Sequence, residues 1–486
     1  MAEMMPLPDQ LDLIDGTRRR PADRAGSDLC HPDTGEVLAP GLQTAPDAVS
    51  ETMDAAHRAH VERRWQGLPA SERARMLDRV ADELEARSGE LAVPESLNTG
   101  IPIAVTGPMT GGVAGFFRGA AERVRSAPEP VTEIGRHGPV RRRRLPFGPA
   151  VVIAPWNAPS PTIVGRSASA LAAGCPVIVK PSEWAPGTAD IVATAVAEAQ
   201  LPPGAFQLVH GGPAVGAQLV ADPRIRVVSF TGGQGAGRAI AAAAAPNFAR
   251  LQLELGANNP AIVRADADIT DSAVALAAGM TKLNGQWCEA PGRVLAHHSI
   301  VDDLVEALLD SLRALPIGSC LDEATAIGPL SHGPHLAQVR SAVDALVVEG
   351  GVAHDAGVLP DLPGWFMAPT VVTGLPAVPA RPEVFGPVLT VHAVDDDAEA
   401  LAAANDSTDG LAAYVFSTDI DAALDLGELL RAGEVRINGT GLFDLADGSH
   451  QSFWGTSGLG GHGDTDTFEL FRGHRIVGVD DPHAPI

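Results

Sequence analysis

The stretch Ala150-Val151-Val152-Ile153-Ala154 decides the fold, because it is a short, wholly apolar run of the kind that forms a buried parallel strand. A helix rich in small residues is predicted at 162–173, and Pro176-Val177-Ile178-Val179 is a second apolar run. Further elements of the same pattern follow at 188–199, 207–209 and 227–230. This alternation predicts a doubly wound α/β domain, in which ligands bind at the carboxyl ends of the strands.

Polar residues follow several of these predicted strands, namely Asn157, Lys180, Glu183 and Thr231. The run Thr231-Gly232-Gly233-Gln234-Gly235-Ala236-Gly237 then leads into a predicted helix. Glycines at a helix start let a phosphate approach the backbone, and the helix N-terminus favours the anion. The run does not fit G-x-G-x-x-G, so it does not by itself identify a dinucleotide site.

Glu254 lies in the alternating stretch Leu251-Gln252-Leu253-Glu254-Leu255, which a glycine bend follows. A glutamate inside an apolar strand is costly unless it is paired or neutral. Two interpretations stay open, a half-buried general base and an exposed strand carboxylate.

Cys288 lies in Asn284-Gly285-Gln286-Trp287-Cys288-Glu289, a small-residue turn after a helix predicted at 271–282. A cysteine exposed at such a bend is a candidate catalytic thiolate. For a lone cysteine without context, a small core side chain is the better interpretation.

Composition excludes several classes of function. The chain has 486 residues, enough for two or three domains, and a formal charge of −25, which argues against nucleic acid or an anionic membrane as a partner. Four cysteines without paired or metal-type spacing favour reduced thiols in a cytosolic enzyme. No signal peptide and no membrane-spanning run is predicted. Against 33 arginines there are only two lysines, Lys180 and Lys282, so either could be required as lysine or could be a chance survivor.

The remaining segments are predicted as scaffold. Residues 1–50 form an irregular arm, and helices follow at 48–65, 71–87 and 111–125. Residues 131–144 form extended strands, and their run Arg141-Arg142-Arg143-Arg144 is interpreted as a solvated strand or an intersubunit ion-pair surface. A second α/β region covers 261–433, and the chain closes with a loop at 440–466 and a docking strand at 468–479.

Taken together and in order, eight motifs resemble the aldehyde dehydrogenase superfamily over roughly residues 30–480. They are Pro155-Trp156-Asn157-Ala158-Pro159, Lys180-Pro181-Ser182-Glu183, Phe230-Thr231-Gly232-Gly233, Glu254-Leu255-Gly256, Gly285-Gln286-Trp287-Cys288, Glu383-Val384-Phe385-Gly386-Pro387, Asn438-Gly439 and Ser457-Gly458-Leu459-Gly460. Each motif is weak alone, but the ordered set is specific.

The resemblance implies an α/β fold with a Rossmann-type coenzyme domain, an α/β catalytic domain and a small β oligomerisation element. The corresponding ranges are 1–127 with 147–254, then 255–448, and finally 128–146 with 468–486. It also implies a homodimer or homotetramer in the cytoplasm, a small-molecule aldehyde as substrate, and no metal, nucleic acid or membrane.

The resemblance assigns chemistry to three residues. Cys288 would attack the aldehyde to form a thiohemiacetal, the Asn157 amide and the Cys288 backbone N–H would hold the oxyanion, and Glu254 would activate water to hydrolyse the thioester that hydride loss leaves. The cofactor would be NAD, with NADP possible, because a carboxylate at 183 would repel a 2′-phosphate. The residues that would hold it are Ile153, Trp156, Lys180, Glu183, Gly232, Gly233, Glu383 and Phe385.

Some positions depart from the family pattern. Ala257 and Asn258 follow Gly256, Arg166 stands where a lysine is common, and Trp454 replaces a usual glycine. They put substrate and cofactor preference in question more than the core reaction. Aromatic residues that could line a substrate tunnel or simply be core are Trp287, Phe116, Phe117, Phe443, Phe453 and Trp454, with Glu289 beside the nucleophile.

Two alternatives to hydrolytic aldehyde oxidation remain. A CoA-acylating relative would release an acyl-CoA, but such relatives generally lack the base at Glu254. A catalytically silent binding or structural relative is disfavoured because Cys288, Glu254 and Asn157 are all present.

Overall fold

Two large, mainly parallel sheets form the centre of the molecule. The structure is a computed structural model that describes residues 7–126, 131–442, 445–446 and 448–483. The first sheet has eight strands, in the spatial order Thr17–Arg19, Asp12–Ile14, Phe206–Leu208, Val177–Lys180, Ala150–Ile153, Val227–Gly232, Arg250–Leu255 and Gly458–Leu459. The five strands from Phe206–Leu208 to Arg250–Leu255 are parallel. Asp12–Ile14 and Gly458–Leu459 pair antiparallel with the two outer members of this group, and Thr17–Arg19 pairs antiparallel with Asp12–Ile14.

The first sheet has a switch point beside Ala150–Ile153. The next two parallel strands in sequence lie on one side of this strand, and the two after them lie on its other side. Val177–Lys180 pairs on one side of it and Val227–Gly232 on the other. All four residues of the central strand are buried, as expected for a strand with both faces covered. The carboxyl ends of these strands therefore open a crevice at the switch point, where ligands bind in such folds.

The second sheet has seven strands and lies later in the chain. Their order is Val352–Asp355, Thr370–Thr373, Val388–Val394, Pro291–His297, Asn259–Val263, Ala412–Phe416 and Glu434–Ile437. Only the edge strand Val352–Asp355 is antiparallel to its neighbour. The segment that carries Cys288 directly precedes Pro291–His297, and the Asn259 amide donates to the carbonyls of Cys288 and Ala290. The segment therefore lies at the amino end of the parallel strands Asn259–Val263 and Pro291–His297.

A third, antiparallel sheet joins two distant parts of the chain, Val131–Ile134 with Pro139–Pro146 and Arg472–Gly478. The four consecutive arginines lie on its middle strand and are exposed in the single chain, which is compatible with both a solvated strand and an intersubunit ion-pair surface. The predicted element 128–146 begins at residues outside the described part of the chain, which resumes at 131. Short two-stranded ladders pair Asp23–Arg24 with Leu42–Gln43, Leu29–Cys30 with Val37–Ala39, Asp409–Gly410 with Trp454–Gly455, and Gln451–Ser452 with Gly461–His462.

Helices cover both large sheets. They span Pro46–Val61, Ala70–Ala86, Ser88–Thr99, Ile103–Gly111, Ala114–Arg125, Pro159–Ala173, Gly187–Glu198, Pro213–Ala221, Gln234–Ala244, Ile269–Thr281, Val301–Arg313, Gly333–Val348, Asp397–Ala404, Ile420–Gly427 and Asp464–Leu470, with 3-10 turns at Ala245–Asn247 and Lys282–Gly285. In the described residues, none of these helices has the length and apolar character needed to cross a bilayer.

Three sequence predictions about the N-terminal third were incomplete or wrong. The helix predicted at 111–125 begins only at Ala114, because Gly112 and Val113 separate it from the helix Ile103–Gly111. The helix Ser88–Thr99 was not predicted, since Pro94 and polar residues interrupt its apolar pattern. The arm at 1–50 is not wholly irregular, because Asp12–Ile14 pairs with the edge of the first sheet.

Candidate active site

A cavity of about 660 Å³ opens at the carboxyl end of the first sheet and reaches across to the second. Every residue for which the sequence predicted a role in catalysis or cofactor binding lines it. These are Cys288, Glu254, Asn157, Ile153, Trp156, Lys180, Glu183, Gly232, Gly233, Glu383 and Phe385. The structure thus brings together side chains that lie up to 232 positions apart in sequence, from Ile153 to Phe385.

The turn before Cys288 has an unusual backbone that its neighbours hold in place. Leu283 and Asn284 are left-handed, with φ of 52° and 59°. The Asn284 amide donates to the carbonyls of Gly100 and Pro329, both at 2.8 Å. Gly285 also has a positive φ of 77°, and a Cβ there would lie 2.2 Å from the Gly386 carbonyl carbon. Only glycine fits this position, so the turn and the Gly386 loop interlock.

Cys288 and Glu254 form the reactive pair of the cavity. The Cys288 Sγ donates to the Glu254 Oε1 at 3.2 Å. Burial raises the pKa of the Cys288 thiol well above its usual value, and the charges of Glu254, Glu289 and Glu383 raise it further. The thiol is therefore protonated at rest and faces a carboxylate able to take its proton.

Glu254 is enclosed, which decides between the two interpretations of its sequence. Its side chain is only 12% exposed, near the end of the strand Arg250–Leu255, so it is not an exposed strand carboxylate. Its Oε2 accepts from the Thr231 hydroxyl at 3.2 Å and lies 3.6 Å from the Arg166 Nη2. Burial lowers the pKa of Arg166, whereas Glu254 raises it. The arginine that replaces the usual lysine thus orients this carboxylate.

Asn157 lines the same cavity as the nucleophile and the base. Its side-chain amide donates to the Gln286 carbonyl at 2.8 Å. Gln286 is itself fixed, since its amide donates to Thr99 and its Oε1 accepts from the Ser331 backbone N–H at 2.9 Å. A primary amide has two N–H donors, so the second Asn157 N–H can donate to an oxygen near Cys288.

Lys180 and Glu183 lie at the far end of the cavity. The Lys180 ammonium is buried, donates to the Pro181 and Gly211 carbonyls at 2.6 Å, and lies 3.9 Å from a Glu183 oxygen. Burial lowers the pKa of Lys180 to about 8, against the opposing effect of Glu183. The pair offers a donor and an acceptor side by side, the combination that binds vicinal hydroxyls of a ribose.

The glycine-rich turn supplies an anion site between these two ends. The helix Gln234–Ala244 begins after Gly233 without a side-chain cap, so its first backbone N–H groups are available. A Cβ on Gly233 would meet nothing within 4 Å, which leaves the backbone open to a ligand. An apolar slot between this helix and Pro213–Ala221 continues the cavity, lined by Pro213, Gly216, Ala217, Val220, Ala236, Ala239, Ile240 and Ala243. The apolar slot, the Lys180 and Glu183 pair and the glycine-rich turn match a flat base, a ribose and a pyrophosphate, respectively.

Glu383 and Phe385 close the end of the cavity nearest Cys288. Burial raises the pKa of Glu383 to about 8, with the Ala257 backbone N–H opposing. A Cβ on Gly256 would lie 1.9 Å from the Glu383 Oε2, so the family glycine makes room for this carboxyl. Phe385 has a positive φ of 53°, and its carbonyl lies 2.9 Å from the His335 Nε2. This loop is therefore held rigidly beside the nucleophile.

Several residues of the site were missed by the sequence analysis. Trp184 and His332 stack across the cavity wall with ring centroids 4.0 Å apart, and His335 lies 4.7 Å from the Trp156 ring. The only sequence signal was a pair of histidines three residues apart before a helix. Glu95 is fully buried in the unpredicted helix Ser88–Thr99 and accepts hydrogen bonds from the Ser160 N–H and hydroxyl. It thereby anchors the helix that follows Asn157.

The aromatic residues proposed for a tunnel divide into different environments. Trp287 and Phe453 are buried and do not line the large cavity, and each belongs to a small apolar cluster that Cys288 packs against. Phe117 belongs to the main core, Phe116 lies partly exposed against Gly165, and half of Trp454 is exposed. Phe443 lies outside the described residues. Among the described residues, only Trp287 and Phe453 of these aromatics therefore belong to clusters beside the nucleophile.

No group of three or more metal-ligating side chains is present in the described part of the chain. The site instead offers a thiol, a base, an oxyanion donor and a dinucleotide-shaped cavity. This defines a class of enzyme, the pyridine-nucleotide oxidoreductases that act through a covalent thiol adduct.

Comparisons with known proteins identify the family. A sequence model of the aldehyde dehydrogenase family matches residues 20–473. The chain is 34% identical to the geranial dehydrogenase of Castellaniella defragrans, covering 90% of this chain and 92% of that protein. It is 35% identical to a betaine aldehyde dehydrogenase of Cereibacter sphaeroides, with 88% of both chains covered.

Solved structures agree with the sequence comparisons. HpcC from Thermus thermophilus superposes with a TM-score of 0.91 at 34% identity, over 99% of this chain and 95% of that one. The betaine aldehyde dehydrogenase of Staphylococcus aureus, solved with NAD+, gives a TM-score of 0.92 at 28% identity, over 99% and 97% of the two chains. The chain therefore belongs to the aldehyde dehydrogenase family. The predictions of family, of the α/β fold and of an NAD(P)-dependent enzyme that oxidises aldehydes are confirmed.

Proposed function

We propose that this enzyme oxidises an aldehyde to its carboxylic acid through a Cys288 adduct that Glu254 helps to form and to hydrolyse. The observation that carries the proposal is the 3.2 Å contact from the Cys288 Sγ to the Glu254 Oε1 inside the dinucleotide-shaped cavity. Glu254 accepts the thiol proton as the sulfur attacks the carbonyl carbon, which gives a thiohemiacetal.

Asn157 stabilises the oxyanion of that adduct. One of its amide N–H groups is fixed on the Gln286 carbonyl, so the other donates to the developing charge together with the Cys288 backbone N–H. After oxidation the carbon is a thioester, and Glu254 removes a proton from the water that hydrolyses it. Arg166 holds Glu254 in reach of both steps.

The cofactor that the cavity fits is NAD, and when bound it accepts the hydride from the adduct. Lys180 and Glu183 contact the adenosine ribose, and the carboxylate of Glu183 disfavours the 2′-phosphate of NADP. The backbone at Gly232 and Gly233 approaches the pyrophosphate, beside Ile153 and Trp156. The Glu383 carboxyl and the Phe385 ring hold the nicotinamide riboside against Cys288. The betaine aldehyde dehydrogenase of Staphylococcus aureus, solved with NAD+, supports this choice of cofactor.

The roles of the segments follow from these assignments. Residues 1–127 and 147–254 form the coenzyme domain, 255–448 the catalytic domain, and 128–146 with 468–486 the oligomerisation element of a cytoplasmic homodimer or homotetramer. Exposed apolar side chains on the three-stranded sheet support the last assignment, since Ile134 is 95% and Ile476 is 67% exposed in the single chain.

Two variants test the proposal. Cys288→Ala should abolish aldehyde-dependent NADH formation while NAD still binds, measured by calorimetry, because the cofactor contacts remain. Glu254→Gln should slow hydrolysis and let an acyl-enzyme accumulate, seen as a mass increase on the intact protein. Turnover by Cys288→Ala would contradict the nucleophile, and rapid release of the acid by Glu254→Gln would contradict the base.

The same experiment addresses the CoA-acylating alternative. If CoA releases the acyl group from Glu254→Gln and from the unaltered enzyme much faster than water does, the enzyme is an acyl-CoA producer. The presence of Glu254 in contact with the thiol favours hydrolysis instead.

A further inference from the structure

Glu289 is an acid directly next to the nucleophile in sequence, yet it faces away from the coenzyme. Cys288 and Glu254 line the coenzyme cavity, whereas Glu289 does not. The residue is only 7% exposed. Its backbone carbonyl accepts a hydrogen bond from the Tyr414 hydroxyl, which fixes the position of the residue on the far side of the sulfur. The reaction described above has no use for this carboxylate.

One oxygen of this carboxylate lacks a hydrogen bond. The Glu289 Oε1 is buried and has no hydrogen-bond partner among the described residues. The Nε2 of the His462 imidazole lies 3.8 Å from it. A buried carboxylate oxygen without a donor is costly, and such atoms in native structures commonly await a ligand or water.

The other charged groups that face Glu289 do not supply that donor. Glu434 and Glu254 are acids, and the guanidinium of Arg436 is 2.9 Å from Glu434. Lys282 is the nearest ammonium, but it donates to the Thr440 carbonyl and lies 4.1 Å from the centroid of the Trp287 ring. The surroundings thus leave an unmatched acceptor beside the reacting sulfur.

A second cavity, of about 190 Å³, borders this cluster, and Glu434, Gln451 and His462 line it. The His462 ring lies 5.5 Å from the ring of Phe453, which belongs to an apolar cluster that Cys288 packs against. On the proposed function, on which this inference rests, the cofactor fills the first cavity. The aldehyde then reaches the sulfur from the side of Phe453, His462 and Glu289.

We propose that Glu289 selects aldehydes that carry a protonated amine two or three bonds from the carbonyl carbon. The ammonium donates a hydrogen bond to the Glu289 Oε1 while the carbonyl lies at Cys288. Its positive charge also offsets the carboxylates around the sulfur, which otherwise oppose thiolate formation. A neutral aldehyde of the same shape leaves the Glu289 oxygen unmatched, and an anionic one is repelled.

Two aldehydes of matched shape test this selection, 3-aminopropanal and butanal, in which an ammonium replaces a methyl group. With NAD at pH 7.5, kcat/KM for 3-aminopropanal should exceed that for butanal about tenfold or more, since a charge-assisted hydrogen bond separates them. In Glu289→Gln this ratio should fall to near one, chiefly through a higher KM for 3-aminopropanal. Glu289→Asp keeps the charge at a greater distance and should give an intermediate ratio.

Glu306→Gln is the control, because it removes an exposed carboxylate from the helix Val301–Arg313, outside both cavities. It should preserve the preference for 3-aminopropanal. A preference for butanal in the unaltered enzyme would overturn the inference, as would a tenfold ratio that survives Glu289→Gln or disappears in Glu306→Gln. Oxidation of butanal that requires Cys288 would leave the proposed function standing in each of those cases. Activity on neither aldehyde would count against both.

Discussion

Cys288 lies among three acids, and this surrounding governs its reactivity. Glu254 contacts the sulfur directly, while Glu289 and Glu383 act through their charges. All three, together with burial, favour the neutral thiol over the thiolate. A resting thiol is less exposed to oxidation and alkylation than a free thiolate. The enzyme therefore depends on proton transfer at the moment of attack rather than on a permanently ionised cysteine.

Removal of one of these charges should make the thiol more acidic. Glu289 is ionised at the high pH where Cys288 titrates, so it opposes loss of the thiol proton, and Glu289→Gln should lower the pKa of the thiol. The rate of Cys288 alkylation by iodoacetamide as a function of pH should then shift towards lower pH. An unshifted profile would show that the Glu289 carboxylate exerts no field at the sulfur, and Cys288→Ala gives the background rate.

At this scale the sequence predicted the principal residues but not their supports. Cys288, Glu254 and Asn157 stand in recognisable local motifs, and all three line one cavity in the structure. Their supporting contacts involve distant residues, such as the Asn284 amide on Gly100 and Pro329, which no local pattern reveals. The lack of a hydrogen-bond donor for the Glu289 Oε1 among the described residues is likewise a property of the assembled site, since it depends on which distant side chains lie nearby.

At the scale of elements, periodicity located the helices with regular apolar faces and missed the irregular one. Ala70–Ala86 lies within one residue of its prediction at 71–87, because its buried side chains recur at helical spacing. Ser88–Thr99 has Pro94 in its interior and buries Glu95, Ser96 and Asn98, so its hydrophobic pattern is weak. Tertiary hydrogen bonds rather than apolar periodicity stabilise that helix.

Glu95 makes the stability of the fold around this helix depend on pH. Burial raises the pKa of Glu95 to about 7, even though Ser160 and Thr188 hydrogen bonds oppose the shift. The pKa of Glu95 is higher in the folded protein than in the unfolded chain. Its contribution to the free energy of unfolding is therefore fully present below about pH 4.5 and is lost as pH rises through 7 and the buried carboxyl ionises. Over this pH range the free energy of unfolding falls by about 3 kcal/mol.

Glu95→Gln should remove this dependence, because the amide keeps an acceptor for Ser160 and cannot ionise. The difference in Tm between the variant and the unaltered enzyme should move in favour of the variant as pH rises from 5 to 8, measured by calorimetry at each pH. Glu306→Gln, at an exposed position in the helix Val301–Arg313, serves as the control. A difference that stays constant with pH would mean that Glu95 ionises in the folded protein as freely as in the unfolded chain.

At the scale of the whole molecule, the two large sheets meet at one cavity, and the small third sheet stands apart from it. The third sheet joins residues 131–146 to 472–478 and presents apolar side chains outward. The sequence predicted extended strands in both segments but could not pair them, since over 300 residues separate them. An exposed sheet edge with apolar residues is a surface that proteins normally cover.

A charge on this surface should disrupt assembly. If the sheet forms the proposed subunit contact, Ile134→Asp should reduce the mass of the assembly, measured by light scattering after gel filtration, because burial of the aspartate in an interface is unfavourable. Phe248→Asp is a matched control, since Phe248 is 87% exposed elsewhere on the chain. Retention of the parent mass by Ile134→Asp would place the subunit contact on another surface.

The interlock of Gly285 with Gly386 has a consequence for biosynthesis. The turn before Cys288 takes its shape from residues on both sides of it in sequence, Gly100 and Pro329 as well as Gly386. On the ribosome, the nascent chain exposes Cys288 about 100 residues before Gly386 has been made. The catalytic geometry therefore cannot exist on a partial chain. The thiol therefore becomes a positioned nucleophile only after the segment around Gly386 has been made and has folded against the turn.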